Sequence, residues 1–191
     1  GKLFILNLTP DRKNVIGYQI RKLYNDKNKY LTFHIEHLLH NIGIEIKDSC
    51  KDSIEVDKLN KLSTIFNILN VDFTKAVTSF EGPLDSMFMR NSIGQASVNR
   101  DTAMFDDIPT VRYFYDNDKG GLEAAREQLK KGHYVFLWKK YITDQGLHKY
   151  DSEVKLKDLN DIIKICFKNK LSSHKYINDY FSNETIDMFY I

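Results

Sequence analysis

At 191 residues, 42% hydrophobic and 28% charged, the chain has enough apolar material for one ordinary core or two small ones and is not compositionally disordered. No apolar run approaches the ~18 residues of a membrane helix, and no basic-then-apolar signal peptide opens the chain, so a soluble protein of a reducing cytoplasm is expected. The net charge of +2 is too small to indicate a partner, but Lys and Arg concentrate in "PDRKNVIGYQIRKLYNDKNKY" and the acidic residues of interest fall after residue 80, predicting a basic surface beside an acidic pocket. Cys50 and Cys166 lie far apart with no CxxC partner, which argues against a disulfide framework or a thiolate zinc site. The chain opens Gly-Lys rather than Met, so an excised piece of a longer protein is expected.

In chain order, Leu3 to Leu8 is apolar and β-prone, "PDRKN" is a turn, and "VIGYQIRKL" resumes a strand, which predicts a hairpin with "KYLTF" as a third strand. "HIEHLLHNIG" predicts a short helix closed by Gly43. Leu59, Leu62, Ile65, Phe66 and Leu69 form an apolar stripe at helical spacing after a cap at Asp57. These elements predict a small basic α+β module over residues 1–72. From Thr74 strands alternate with helices, the pattern of parallel sheets with crossover helices. "KAVTSF" is a strand, Pro83 to Met89 a helix with Pro in its first turn, "VRYFY" a strand, "GGLEAAREQLKKG" a helix ended by Gly132, "YVFLW" a strand and "DLNDIIKICF" a further helix. The reading is therefore α+β followed by α/β, the second part a central, mostly parallel sheet with flanking helices over residues 73–166, then a C-terminal helical segment, 167–191.

Acidic groups occupy equivalent places in that second part. Glu81 follows "KAVTSF", Asp116 and Asp118 follow "VRYFY", and Asp158 and Asp161 stand where the last helix begins. Ligands of open α/β sheets collect at the carboxyl ends of strands, so the groups are expected to converge. Each acid alone also reads as a helix cap at the positive end of the dipole. Together, carboxylates repel and raise one another's pKa unless a cation neutralises them, and oxygen-only ligands suit Mg²⁺ or Mn²⁺. A calcium-loop reading of "DNDKGGLEAARE" is weaker: Glu127 stands twelfth from Asp116 and Gly121 sixth, but Gly120 is fifth, Glu123 replaces the aliphatic eighth residue, and a strand precedes it where a helix belongs.

"FEGPLDSMFM", "YFYDNDKGGLEAA" and "KDLNDII", in that order and spacing, resemble the Toprim domain, the metal-binding catalytic fold of primases, type IA and II topoisomerases and some nucleases. The resemblance spans residues 74 to 166. "LFILNLTPDRKNVIGYQIRKL" with "KYLTF" is similar to the end of the basic subdomain that precedes Toprim in bacterial DnaG-type primases and their phage relatives, and "EGPLDSMFM" and "KDLNDII" look closer to the phage versions. The resemblance implies a primase catalytic core making short RNA primers on single-stranded DNA from ribonucleoside triphosphates. It implies Glu81 as catalytic acid, Asp116 and Asp118 as catalytic metal holders, Asp158 as an extension of the metal cluster, and Asp85 as a supporting acid. Where the bacterial pattern has Asp-x-Asp, this chain has Asp158-Leu159-Asn160-Asp161, leaving either Asn160 or the supporting acid Asp161 in the second place. A replicative helicase is implied as a partner through regions outside these residues, and the cytoplasm would be bacterial or that of a phage's host.

Arg21, Lys22 and Lys29, beside Tyr18, Tyr24 and Tyr30, offer phosphate contacts with base stacking. The resemblance points to Arg21 and Lys29; composition alone makes each a solvated surface charge. His34, His37 and His40 repeat every three residues, a spacing that drifts around a helix and suits a polar face better than zinc. The aromatic tail "YINDYFSNETIDMFYI" reads as core packing before partner docking. Two rivals remain open: a Toprim nuclease or topoisomerase-like enzyme using the same acids to cut DNA, and a nucleic-acid-binding accessory module whose acids hold only a structural metal. No P-loop is present in the sequence.

Overall fold

The computed structural model describes residues 1–23, 30–41, 43–44, 54–95, 105, 108–150 and 155–191. Three antiparallel strands open the chain in the order β1 (Lys2–Leu8), β2 (Val15–Lys22) and β3 (Tyr30–Phe33). The Asp11 carboxylate shapes the turn between the first two, accepting from the Lys13 N–H at 3.1 Å. Period-two alternation splits this sheet. Ile5, Asn7, Gly17 and Gln19 face inward and are buried, whereas Phe4, Leu6 and Leu31 remain exposed on the other face. Helices α1 (Ile35–Asn41) and α2 (Ile54–Ser63) follow, the first ending near Gly43 with φ of +77°. The end of α2 receives the inward face: Gln19 Nε2 donates to the Thr64 carbonyl at 2.9 Å, and Asn7 Nδ2 to that of Ser63 at 2.5 Å. Gly17 passes so near that a Cβ would stand 2.4 Å from the Ser63 oxygen.

The apolar stripe is not one helical face. Asp57 lies inside α2, which stops at Ser63, while Ile65 and Ile68 are buried in the second sheet's core and Leu59 and Leu69 are exposed. The break is set by a bridge between Phe66 and Gly94 and by Asn67 in the left-handed region, φ 66°. The spacing matched a helix although only Ile65 of the five stripe residues is buried.

The second part is a mixed α/β unit. Its five-stranded sheet has the order β5 (Ser92–Gly94), β4 (Val77–Phe80), β6 (Val111–Phe114), β7 (Tyr134–Phe136) and β8 (Phe181–Ser182), parallel except for the antiparallel edge β8. Val111, Tyr113 and Val135 point to one face with Ala125 and Leu129 of α4 (Lys119–Lys130). Phe114 and Phe136 point to the other with α5 (Trp138–Asp144) and α6 (Leu159–Asn169). Strands buried on both faces, with helices outside, account for the continuous apolar runs. Between β4 and β5, α3 (Pro83–Ser86) is a single turn rather than a helix to Met89. Ser92 Oγ donates to the Ser86 and Met89 carbonyls, at 2.6 and 2.7 Å, and turns the chain back at once into β5. "YVFLW" likewise leaves the sheet after Phe136: Trp138 begins α5, its Nε1 donating to the Tyr115 carbonyl at 2.8 Å. After Asn169, the tail forms 3-10 turns at Ser173–Tyr180 and Thr185–Tyr190 around β8. Ile177, Tyr180 and Ile191 are buried, whereas Ile186 and Phe189 are exposed. No helix among the described residues is long and apolar enough to cross a membrane.

Candidate active site

Parallel pairing of β4 with β6, Phe80 opposite Phe114, brings the two strand ends to one edge. Glu81 follows the first and Asp116 the second, and the Asp116 N–H donates to Glu81 Oε1 at 2.9 Å. Burial pushes the Glu81 carboxyl up to about 7, with the Asp116 charge adding to it. Burial also lifts Asp116 to about 6, against the pull of Lys157. Asp118 starts α4, its Oδ1 accepting from the Gly121 N–H at 3.0 Å. Burial raises its pKa, but that hydrogen bond and Lys157 outweigh burial and hold it below the ordinary value.

Asp85 on α3 is 8% exposed and accepts twice on one oxygen from Asn160, from its N–H at 3.0 Å and its Nδ2 at 2.6 Å. Burial lifts Asp85 to about 7, reinforced by the charges of Asp158 and Asp116 and opposed by Arg21. Asp158 caps α6, accepting from the Asp161 N–H at 2.9 Å. Asp161 faces away from the cluster, one oxygen on the Lys157 N–H at 3.2 Å and the other on Lys164 Nζ at 3.0 Å. Asn160 thus reaches Asp85 on α3, whereas the bonds of Asp161 to Lys157 and Lys164 stay within its own segment. Asp118 and Asp158 are thus helix caps, each accepting from the backbone N–H three residues on.

Three residues without a sequence signal complete the pocket. Lys157 Nζ stands 2.9 Å from Asp118 Oδ2 and 3.4 Å from Asp116 Oδ2. Asn117, between the aspartates, ties the loop to the segment before α6: its N–H donates to the Lys157 carbonyl at 2.6 Å and its Nδ2 to the Leu156 carbonyl at 2.8 Å. Gly121 is required by contact, since a Cβ there would lie 2.1 Å from the Asp116 carbonyl oxygen. The lysine was legible only as the residue before Asp158, and the other two only as the x of DxD and one glycine of a pair.

The basic residues divide. Arg21 shares the inward face of β2 with Gln19 and is near enough to Asp85 to lower its pKa. Lys22 shares the outward face with Tyr18, whose ring stacks on Phe33 at 4.5 Å between centroids. Tyr30 begins β3, while Lys29 and Tyr24 lie outside the described residues. His34 Nδ1 lies 3.2 Å from the Asn60 carbonyl.

No protein-family model matches the chain, and neither does any curated protein. Among solved structures it is similar to the Aquifex aeolicus primase zinc-binding and RNA polymerase domains, with 17% identity, TM-score 0.44, and 88% of this chain covering 44% of that one. It is similar also to the E. coli primase catalytic core, at 13% identity and TM-score 0.42 with 88% and 56% covered. A DnaG primase catalytic domain bound to single-stranded DNA gives 13%, 0.41, and 88% and 57%. The chain thus spans about half the length of these structures. Likenesses this remote carry no argument about function.

The pocket's donor set is all carboxylate oxygen, which fits a hard divalent cation. Among the described residues, however, no three acidic, His or Cys side chains are arranged to hold a metal ion. The Lys157 ammonium lies between Asp116 and Asp118.

Proposed function

We propose that the chain is the Toprim part of a DnaG-type primase catalytic core, of the phage kind, with the end of its basic subdomain. It would synthesise short RNA primers on single-stranded DNA from ribonucleoside triphosphates. The observation that carries this reading is the meeting of Glu81 and Asp116, both partly buried, at the ends of two neighbouring parallel strands, with Asp118 two residues on, against the electrostatic preference of like charges. Asp116 and Asp118 would hold Mg²⁺ or Mn²⁺ with Glu81, extended by Asp158. Such ions, when bound, activate a 3′-hydroxyl toward an α-phosphate and neutralise the leaving pyrophosphate. Glu81, whose carboxyl burial pushes up to about 7, would suit acid–base work at the attacking hydroxyl where no ion holds it. Asp85 positions the start of α6 through Asn160. Arg21 faces the acids from the three-stranded sheet and suits a nucleic-acid phosphate.

The test is dinucleotide synthesis by the full-length protein on a single-stranded template. Asp118→Asn keeps the cap oxygen and Glu81→Gln keeps the shape. Each should cut synthesis at least about a hundredfold, the scale of several kcal/mol of lost transition-state stabilisation, with melting temperature no lower than the parent's and DNA affinity retained. Normal priming by both variants overturns the reading, and DNA cleavage that needs no nucleotide turns it toward a nuclease.

A further inference from the structure

The acids lie at the start of α6, and a different chemistry gathers at its other end. At 1.5 Å per residue the helix from Leu159 to Asn169 is about 16 Å long, which sets the two places apart. It stops in a closed turn: the Leu171 N–H donates to the Cys166 carbonyl at 2.9 Å and the Lys170 N–H to that of Phe167 at 3.4 Å. Lys170 itself sits in the left-handed region, φ 54°. Glycine or asparagine is the ordinary occupant of such a position, so the chain carries a lysine there at some backbone cost. The Ser173–Tyr180 turns then fold back on α6, the Lys175 N–H donating to the Ser172 carbonyl at 2.9 Å.

Between helix and turns lies a cleft of about 400 Å³ whose walls include Cys166, Phe167, Lys170, Leu171, His174 and Lys175. Its size is that of a small-molecule site. The walls carry two lysines and a histidine, and no acid. His174 Nδ1 is buried and has no hydrogen-bond partner among the described residues, a cost that a ligand oxygen would remove, since an imidazole can present an N–H there. Phe167 is 82% exposed, an aromatic ring held almost uncovered beside the lysines.

We propose that this cleft is a phosphate-binding site that takes a nucleoside phosphate, with the phosphates between Lys170 and Lys175, His174 Nδ1 donating to them, and the base lying on Phe167 and Leu171. The lining charge selects an anion, the unpartnered nitrogen requires an oxygen, and the bare ring suits a flat aromatic partner. The inference goes beyond the primase reading and does not rest on it. The cleft needs no metal, whereas the acidic pocket repels a phosphate unless a cation is bound.

The experiment is isothermal titration calorimetry of the full-length protein in EDTA, with ATP, inorganic tripolyphosphate and adenosine as probes. The proteins are the parent, the double variant Lys170→Gln with Lys175→Gln, and Phe167→Ala. All three side chains are exposed, so melting temperatures should stay at the parent's value. The parent should bind ATP, and adenosine more weakly. The double variant should lose about tenfold in ATP affinity, the share of two exposed ionic contacts. Phe167→Ala should lose about fivefold toward ATP, the low end of base-on-ring stacking, and nothing toward tripolyphosphate. A parent that binds no ATP at millimolar concentration overturns the proposal, as does full retention of ATP binding by the double variant. An ATP affinity unmoved by Phe167→Ala overturns the nucleoside assignment.

Discussion

The acidic rim and the three-stranded sheet handle buried polarity in opposite ways. In the sheet, Asn7 and Gln19 are buried but uncharged, and their amides donate to the carbonyls of Ser63 and Thr64, so they fasten the sheet to the end of α2. In the rim, Glu81 and Asp85 meet Asp116 from an earlier segment, Glu81 accepting from the Asp116 N–H across 35 residues. They are carboxyls that burial pushes up to about 7, 7 and 6. The side-chain oxygens of the two amides, Asn7 Oδ1 and Gln19 Oε1, are buried without a partner, a neutral group's cost that is smaller than that of ionised carboxylates crowded together. The contrast separates polar groups that serve packing from those retained despite packing, the usual mark of a functional pocket.

Removing one rim charge should therefore stabilise the protein. The Asp85 pKa rises from 3.8 to about 7 on folding, chiefly through burial. Between those values the unfolded chain ionises while the native residue keeps its proton, so the stability it contributes is present below about pH 4 and lost as pH rises toward 7. Asp85→Asn still offers an oxygen to Asn160. In metal-free urea unfolding it should exceed the parent by about 2–4 kcal/mol at pH 8 and match it at pH 4. Equal stability at both pH values would mean that the rim is solvated and the contrast with the sheet is false.

The opposite change, adding bulk beneath the rim, should be destabilising by about 1–3 kcal/mol. Gly121→Ala places a methyl against the Asp116 backbone, whose nitrogen and carbonyl carbon would each be 2.9 Å away. Because backbone rather than a flexible side chain must yield, Asp116 is displaced from Glu81, and on the proposed primase reading priming should fall with stability. A variant that melts and primes as the parent does would show that the loop has slack.

Strand ends followed by acids were readable because each strand's apolar run stops where charge begins, Phe80 directly before Glu81 and the end of β6 at Phe114 two residues before Asp116. What escaped reading was set by tertiary contact. Trp138 looks like the end of a strand until its indole is seen donating to the Tyr115 carbonyl. The three-residue β5 exists because a tight turn returns Gly94 to the chain at Pro83, whose Cα would be 2.5 Å from a Cβ at that glycine. The bond of Asn160 was not readable because its partner, Asp85, lies 75 residues earlier. Lys157 carried no motif of its own, since its role comes from the loop that Asn117 ties to it.

The smallest effect belongs to the sheet. Arg21 and Lys22 are adjacent on β2, so their side chains leave opposite faces, and only Arg21 shares the face that approaches the acids. If single-stranded DNA runs between the inward face and the rim, Arg21→Ala removes one phosphate contact, whereas Lys22→Ala removes a charge from the aromatic outer face. The slope of log affinity against log salt should become shallower by about 0.7 in Arg21→Ala, one contact's share for single strands, and stay within error of the parent in Lys22→Ala. Fluorescence anisotropy of a labelled oligonucleotide between 50 and 200 mM salt, a range over which such slopes are resolved, measures both. Equal shallowing would mean that the strand crosses the edge of β2 and contacts both faces. A change in Lys22→Ala alone would put the nucleic acid on the outer face, away from the carboxylates, and the two regions would then not act on one substrate.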